Sequence, residues 1–230
     1  SDLFNNVLKL SCCVYRPWVR EAAIHPVEKA LSTATGYSFP SGHSSKAGAF
    51  FGSLGIAGKK RRWVPWVCGV VILLVMFSRN YLGVHTPQDV LTGAAVGLLS
   101  AFLLPCLLRW AEKGPNRDLM VAGIGTVLCA LSVWYVLAKS YPADLAADGS
   151  LLVDPVTMQK DFFLSAGAVL GMLAGWLLEG RKVRFTTDCG WGVKLLRLLF
   201  GLLIGFGGFY TLLRHWLQNA LGTNFGAMLG

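Results

Sequence analysis

The stretch SRNYLGVHTPQDV (Ser78–Val90) joins two long apolar runs of the sequence. It brings Arg79, His85 and Asp89 to the junction between those runs, where a membrane-spanning chain would leave the hydrocarbon. Ionisable groups beside apolar segments are costly to place, so they indicate a functional site by default. The stretch therefore predicts a membrane protein and the position of its chemistry.

The composition supports a membrane protein. Of the 230 residues, 54% are hydrophobic and 14% are charged, whereas an ordinary soluble domain carries about 25% charged residues. The six cysteines contain no pair at the spacing of a zinc site, and those inside apolar runs are typical of small buried hydrophobes.

The apolar runs predict an all-α fold, a polytopic transmembrane helical bundle with about six spans. The runs lie at residues 44–58, 63–77, 90–108, 119–138, 162–178 and 195–213. Glycines spaced by four within these runs predict close helix packing, because small residues let helices approach each other. They are Gly48/Gly52, Gly93/Gly97, Gly167/Gly171/Gly175 and Gly201/Gly205.

Basic residues cluster in alternate connections between the runs, at 59–62, 109–117 and 179–184. Such loops are expected on the cytoplasmic side of the membrane. The net charge of +9 therefore reflects topology, and no nucleic-acid partner is predicted. With this topology, the polar stretches at 1–40 and 78–90 lie together on the outer face.

Two interpretations of His85 and Asp89 stay open from this stretch alone. Thr86 is predicted to cap a helix that starts at Pro87, which makes Asp89 the third helical residue. Helix capping by itself explains this pattern. The carboxylate of Asp89 also lies one turn beyond His85, where it would hold one ring nitrogen and leave the other as a nucleophile or base.

Two further polar stretches carry similar alternatives. In FPSGHSSK, Pro40–Gly42 predicts a tight entry into a helix with His43 in its first turn, where free N–H groups bind phosphate. A simple capped helix start explains the same residues. In KLSCCVYRP, Lys9 and Arg16 would share a face if helical, suited to lipid headgroups or to a substrate anion. Arg79 either snorkels to the interface or binds an anion.

The joint pattern of these stretches is more specific than any one of them. It reads Lys9-x6-Arg16-Pro17, then Pro40-Ser41-Gly42-His43, then Ser78-Arg79-x5-His85-x3-Asp89. It resembles the three signature motifs of the type 2 phosphatidic-acid phosphatase superfamily, complete and in order, in the integral-membrane lipid phosphatase branch. The resemblance covers about residues 9–108.

The resemblance implies a phosphatase that uses no metal and no other cofactor. The counterpart of His85 attacks phosphorus and forms a phosphohistidine, that of Asp89 orients it, and that of His43 protonates the leaving oxygen. The phosphate-binding positions are Lys9, Arg16, Ser41, Gly42 and Arg79. Such a site fits phosphoryl transfer, which depends chiefly on stabilising charge at the phosphate oxygens.

We therefore expect a multi-pass membrane hydrolase whose active site lies on the extracytoplasmic face and whose substrate is a lipid phosphate or polyprenyl diphosphate. Residues 1–110 would form the phosphatase core, and residues 111–230 would add transmembrane helices whose role the sequence leaves open. Membrane members of the family usually carry helices before the first motif, so an upstream portion is expected. The alternatives are a phosphotransferase with the same site and a non-catalytic protein that binds anionic lipid. Lys46 would either extend the phosphate site towards a diphosphate or snorkel outward.

Overall fold

The computed structural model describes residues 1–31, 34–146, 149–184, 186 and 188–205. The regular secondary structure of these residues is helical. They contain no strand, and one isolated antiparallel bridge joins Leu145 and Leu151. The helices are α1 (Asp2–Cys12), α2 (Pro17–Arg20), α3 (Glu28–Leu31), α4 (Gly42–Ala57), α5 (Trp63–Tyr81), α6 (Pro87–Glu112), α7 (Arg117–Ala138), α8 (Pro155–Leu178) and α9 (Trp191–Leu202).

Four helices of the described part are long and apolar enough to cross a membrane: α5, α6, α7, and α8 together with the π-helical turn that extends it to Val183. Large apolar side chains stay exposed on them, such as Trp66 at 78% and Trp134 at 69%, as expected where lipid replaces water. The prediction of an all-α, multi-pass membrane protein is confirmed.

The predicted number of spans is not confirmed. The run at 44–58 forms α4, which has 16 residues and is therefore about 24 Å long at 1.5 Å per residue, short of a hydrocarbon core of about 30 Å. The run at 195–213 lies only partly within the described residues, where it contributes the end of α9.

The chain divides into two compact units, Ser1–Leu177 and Leu178–Gly230. In the described part of the second unit, the guanidinium of Arg197 on α9 donates to the carbonyl of Thr186 at 2.7 Å. All the predicted site residues belong to the first unit.

Helices α4 and α6 pack backbone to backbone at the predicted glycines. A methyl group at Gly97 would collide with the Ser45 carbonyl, and one at Gly48 would lie 2.7 Å from the Ala94 carbonyl oxygen. Gly93 likewise lies against the Ser41 carbonyl. These glycines hold the start of α4 on the first turns of α6, which brings two of the three motifs together.

The same prediction is wrong for α8. A methyl group at Gly167, Gly171 or Gly175 would meet no described atom within 4 Å. The spacing of small residues is thus shared by a tightly packed pair of helices and by an open helix face. Sequence spacing alone does not tell them apart.

Helices α7 and α8 pack against α1, the helix that carries Lys9. Their shared core is formed by buried apolar side chains, chiefly Leu10, Tyr37, Cys129, Val136, Met158, Phe162 and Ala166. Lys139, just after α7, donates to the Leu10 carbonyl at 2.7 Å and also to that of Ser11, so it satisfies carbonyls at the end of α1. The helices beyond residue 110 thereby support the first motif.

Candidate active site

Three segments distant in sequence meet at the site: α1 with the turn after it, the start of α4, and the loop between α5 and α6. The backbone N–H of Ser41 donates to the Asp89 carbonyl at 2.9 Å, which joins the second motif to the third. The Ser38 N–H donates to the Val14 carbonyl at 2.7 Å, which joins the first motif to the second. The structure therefore brings all three motifs to one place.

His85 and Asp89 lie buried side by side. Nδ1 of His85 is 3.4 Å from Oδ2 of Asp89, and the two residues are 6% and 2% exposed. The same Oδ2 accepts hydrogen bonds from the Ser38 hydroxyl at 2.6 Å and from the Thr86 N–H at 2.7 Å. Both interpretations of Asp89 are therefore compatible with one geometry, because its carboxylate completes a capping box and also faces the imidazole.

The side chain of Arg16 reaches the other ring nitrogen of His85. Its Nη1 lies 3.0 Å from Nε2 of His85 and donates at 3.0 Å to the Val84 carbonyl. The carbonyls of Gly36 and Thr35 accept from its Nε and Nη2 at 3.0 and 2.9 Å. A guanidinium held by three carbonyls has a fixed orientation, so Arg16 presents its charge to the nitrogen that would attack phosphorus.

A shared helical face is not what brings Lys9 and Arg16 together. Helix α1 ends at Cys12, Cys13 is left-handed with φ of 49°, and Arg16 is extended before Pro17 begins α2. Pro17 therefore starts a helix, where its missing N–H costs nothing, rather than ending one. The turn folds Arg16 back beside His85.

Lys9 and Arg79 supply further positive charge. Nζ of Lys9 donates to the Tyr37 carbonyl at 3.0 Å, and the residue is 8% exposed. Nε of Arg79 is buried and has no hydrogen-bond partner among the described residues. An unpaired buried donor is costly, and an oxyanion would satisfy it.

Gly42 and His43 form the first turn of α4 and face the cavity, whereas Ser41 is fully buried. The Ser41 hydroxyl oxygen caps the helix by accepting from the Ser44 N–H at 3.4 Å and the Ser44 hydroxyl at 3.1 Å. Free N–H groups in such a first turn attract anions. Gly42 and His43 thus reach the cavity, whereas the Ser41 side chain stays inside.

Burial and neighbouring charge set the protonation of these groups. Burial lowers the pKa of His85 to about 4, with Arg16 and Lys9 adding to the effect and Asp89 opposing it. Burial and the charge of Arg16 lower the pKa of Lys9 to about 7. Burial and the charges of Arg79 and Lys46 lower the pKa of His43 below its ordinary value. His85 is therefore neutral at pH 7, the form in which an imidazole can act as a nucleophile or base.

A cavity of about 1130 Å3 opens onto these groups. Lys9, Arg16, Gly42, His43 and His85 line it, whereas Ser41, Arg79 and Asp89 do not. Lys46 also lines it and forms an exposed ion pair with Asp2 at 3.6 Å. Five of the eight predicted site residues are thus directly accessible to a ligand.

Sequence reasoning missed two parts of the site. Ser38 holds the Asp89 carboxylate, and the carbonyls of residues 35–37 orient Arg16 and Lys9. Ser38 lies two residues before Pro40, next to a motif that the sequence does reveal. The backbone there is irregular, so the sequence does not predict where the Ser38 side chain lies. Helix α8 also lines the cavity through Asp161 and Ser165, and nothing in the sequence links it to the motifs.

Comparison with known proteins agrees with this geometry. Residues 1–113 match the family model of the PAP2 superfamily, the type 2 phosphatidic-acid phosphatases. Phosphatidylglycerophosphatase B of Bacillus subtilis is 36% identical over 110 residues, which are 44% of this chain and 50% of the relative. Undecaprenyl-diphosphatase of Sulfolobus acidocaldarius is 37% identical over 81 residues, 35% of this chain and 38% of the relative.

A third relative, lipid A 4'-phosphatase of Porphyromonas gingivalis, is 40% identical over 65 residues, 27% of this chain and 26% of its own length. The chain thus spans half or less of the length of each of these relatives. No solved structure matches it. All three motifs lie within the matched residues, and the predicted resemblance is confirmed: residues 1–113 match the PAP2 superfamily.

Proposed function

We propose that this protein is an integral-membrane phosphatase that hydrolyses a lipid phosphate or polyprenyl diphosphate through a phosphohistidine on His85, without a metal. One observation carries the proposal. Nδ1 of His85 is backed by Asp89, and its Nε2 faces Arg16 in a cavity that Lys9 and the start of α4 also line. This is a nucleophile with an orienting carboxylate inside an anion-binding cradle.

The groups divide the reaction as follows. Nε2 of His85 forms a bond to phosphorus while the bond from phosphorus to the leaving oxygen breaks, and His43 gives that oxygen its proton. Water then forms a bond to phosphorus while the bond from Nε2 of His85 to phosphorus breaks, His43 takes a proton from that water, and inorganic phosphate leaves. Lys9, Arg16 and Arg79 stabilise the charge on the equatorial oxygens, together with the N–H groups of Gly42 and His43.

The relatives support lipid substrates. Each carries a name that denotes removal of phosphate from a lipid or polyprenyl compound, and their three different substrates leave the headgroup open. Four helices of the described residues are long and apolar enough to cross a membrane, which supports a site that a lipid reaches by lateral diffusion. The loop charges support an extracytoplasmic position for the site.

The experiment measures phosphate release in EDTA from phosphatidic acid, phosphatidylglycerol phosphate and undecaprenyl diphosphate. Native protein is compared with His85→Ala, in detergent micelles. We expect the native protein to release phosphate from at least one lipid. The rate of release should fall by at least about 1000-fold in the variant, as it does when the nucleophile of other enzymes is removed. Native-like release by His85→Ala, or a requirement for a divalent ion, would contradict the mechanism.

The same samples test the two alternatives. A phosphotransferase would pass the phosphoryl group to an added lipid or sugar acceptor in place of water, and the phosphorylated acceptor would appear instead of free phosphate. A non-catalytic lipid-binding protein would bind the phosphate-bearing lipids equally well with and without His85.

A further inference from the structure

We infer that α4 and α8 form the two walls of a groove that binds the hydrocarbon chain of the substrate, so that α8 is part of the binding site. This inference rests on the proposed lipid phosphatase function. It concerns residues 155–178, which lie outside the part of the chain that matches the family.

The cavity is far larger than a phosphate group requires. Its volume of about 1130 Å3 lies just above the range for pockets that enclose whole small molecules, about 300–1000 Å3. The phosphate-binding groups occupy one end of it. The rest of the cavity therefore has room for a second, larger part of the same ligand.

The α4 wall runs away from the catalytic groups along one helix face. Ala49, Ser53 and Ala57 line the cavity at a spacing of four, with Phe50 and Leu54 beside them. From His43 to Ala57 the helix rises about 21 Å at 1.5 Å per residue, somewhat more than half of a hydrocarbon core of about 30 Å. The wall is thus long enough to follow a lipid chain through one leaflet.

The α8 wall has the same direction and the same change in polarity. Met158, Asp161, Leu164 and Ser165 line the cavity in the first half of α8, and Ala168, Val169 and Met172 line it further along. On both helices the ionisable lining residues (His43, Lys46 and Asp161) lie within the first two turns, and the lining beyond them is apolar apart from Ser53 and Ser165. The amide of Asn6 donates to the Ser165 hydroxyl at 2.9 Å and to the Asp161 carbonyl at 3.1 Å, which ties the polar end of α8 to α1.

This polarity identifies the occupant as an amphiphile. A cavity with Lys9, Arg16 and a helix N-terminus at one end and a mostly apolar lining along α4 and α8 complements a molecule with an anionic head and a hydrocarbon tail. The other faces of α4 are already covered by α5 and α6. The small side chains of Ala49, Ser53 and Ala168 leave space between the two walls. They therefore set the width of the groove that is open to a hydrocarbon chain.

The test fills the groove and varies the length of the lipid. Ala168→Trp and Ser53→Trp each place an indole on one wall. Ala174→Trp is the matched control, because Ala174 is equally exposed on α8 but does not line the cavity. The headgroup is the one of the three that the native protein hydrolyses fastest. With that headgroup, kcat/KM is measured for a long-chain lipid and for its short-chain homologue. Suitable pairs are dioleoyl and dihexanoyl phosphatidic acid, or undecaprenyl and dimethylallyl diphosphate.

We expect Ala168→Trp and Ser53→Trp to lower kcat/KM for the long-chain lipid by about tenfold or more, since each buried methylene contributes roughly fourfold to binding. The short-chain homologue should change by less than about twofold, and Ala174→Trp should match the native protein with both.

Three outcomes would overturn the inference, and they are distinguishable. If the native protein hydrolyses no lipid of the panel, the proposed function fails and the groove inference falls with it. If the native protein is active and both groove variants retain its ratio of long-chain to short-chain kcat/KM, the groove does not bind the chain, and the proposed function stands. An equal loss for both lengths in folded protein, verified by size-exclusion elution, would assign the walls to support of the catalytic groups.

Discussion

Replacing Asp89 by Asn separates the two tasks that the structure gives this carboxylate. The amide retains the size of the side chain and an oxygen that can accept from the Thr86 N–H and the Ser38 hydroxyl. It removes the negative charge that faces Nδ1 of His85. Catalytic support should therefore be lost, while the helix cap is largely retained.

The size of the effect follows from the contact that is lost. A hydrogen bond to a charged group contributes about 1.5–3 kcal/mol, and each 1.4 kcal/mol corresponds to about tenfold in rate. The amide nitrogen would also favour the tautomer that carries its proton on Nε2, which cannot attack. We expect kcat to fall by about 100-fold with little change in KM, because the phosphate-binding cations are untouched.

The assay measures phosphate release in steady state and the phosphorylated protein trapped by rapid quench with radiolabelled lipid. Thr86→Ala is the control, because it removes the hydroxyl that accepts from the Asp89 N–H at 3.4 Å and leaves the carboxylate in place. It should cost about 1 kcal/mol of stability, as lost caps do, and leave kcat unchanged. A kcat within about twofold of native in Asp89→Asn would show that Asp89 is only a helix cap.

Three further predictions follow from the same geometry. The value of kcat/KM should rise through about pH 4 as His85 loses its proton. It should fall at higher pH as His43 and then Lys9, whose pKa is about 7, lose their protons. A rate still rising above pH 8 would contradict these assignments. Gly97→Ala should lower the melting temperature by overpacking α4 against α6 at a cost of about 1–3 kcal/mol, whereas Gly167→Ala, with open space around it, should not; equal melting temperatures would refute the packing argument. Single cysteines introduced at Gly58 and Gly149 in a chain without its native cysteines should react with an impermeant thiol reagent from opposite sides of a sealed membrane, and labelling from the same side would overturn the topology.

Regular local structure in the third motif could be predicted from the sequence. Thr86 as the cap, Pro87 as the first helical residue and Asp89 as the third all follow from capping preferences, and the structure has each of them. These preferences act within one turn of helix. They are therefore readable from a short stretch without knowledge of the rest of the chain.

The position of Arg16 could not be predicted in the same way. It depends on a left-handed residue at Cys13 and on three carbonyl acceptors from segments 19 to 68 residues away. The contribution of α8 to the cavity depends likewise on tertiary packing against α1. Periodicity reports which residues of a helix are apolar, but it does not report whether they face lipid, another helix or a ligand.

The two histidines of the site show how one set of cations can serve both steps of the reaction. In the free protein, burial and neighbouring positive charge lower the pKa of His85 and also that of His43. This favours the neutral His85 that the proposed attack needs and disfavours the protonated His43 that the proposed proton donation needs. A bound phosphate dianion neutralises the cations around it, which raises the pKa of His43 because Arg79 and Lys46 contribute to lowering it. His85 keeps its attacking nitrogen unprotonated through the desolvation that remains when the cavity is filled. Binding of the substrate would thus favour the protonated His43 that the proposed cleavage requires. In the empty site, His43 would be mostly neutral.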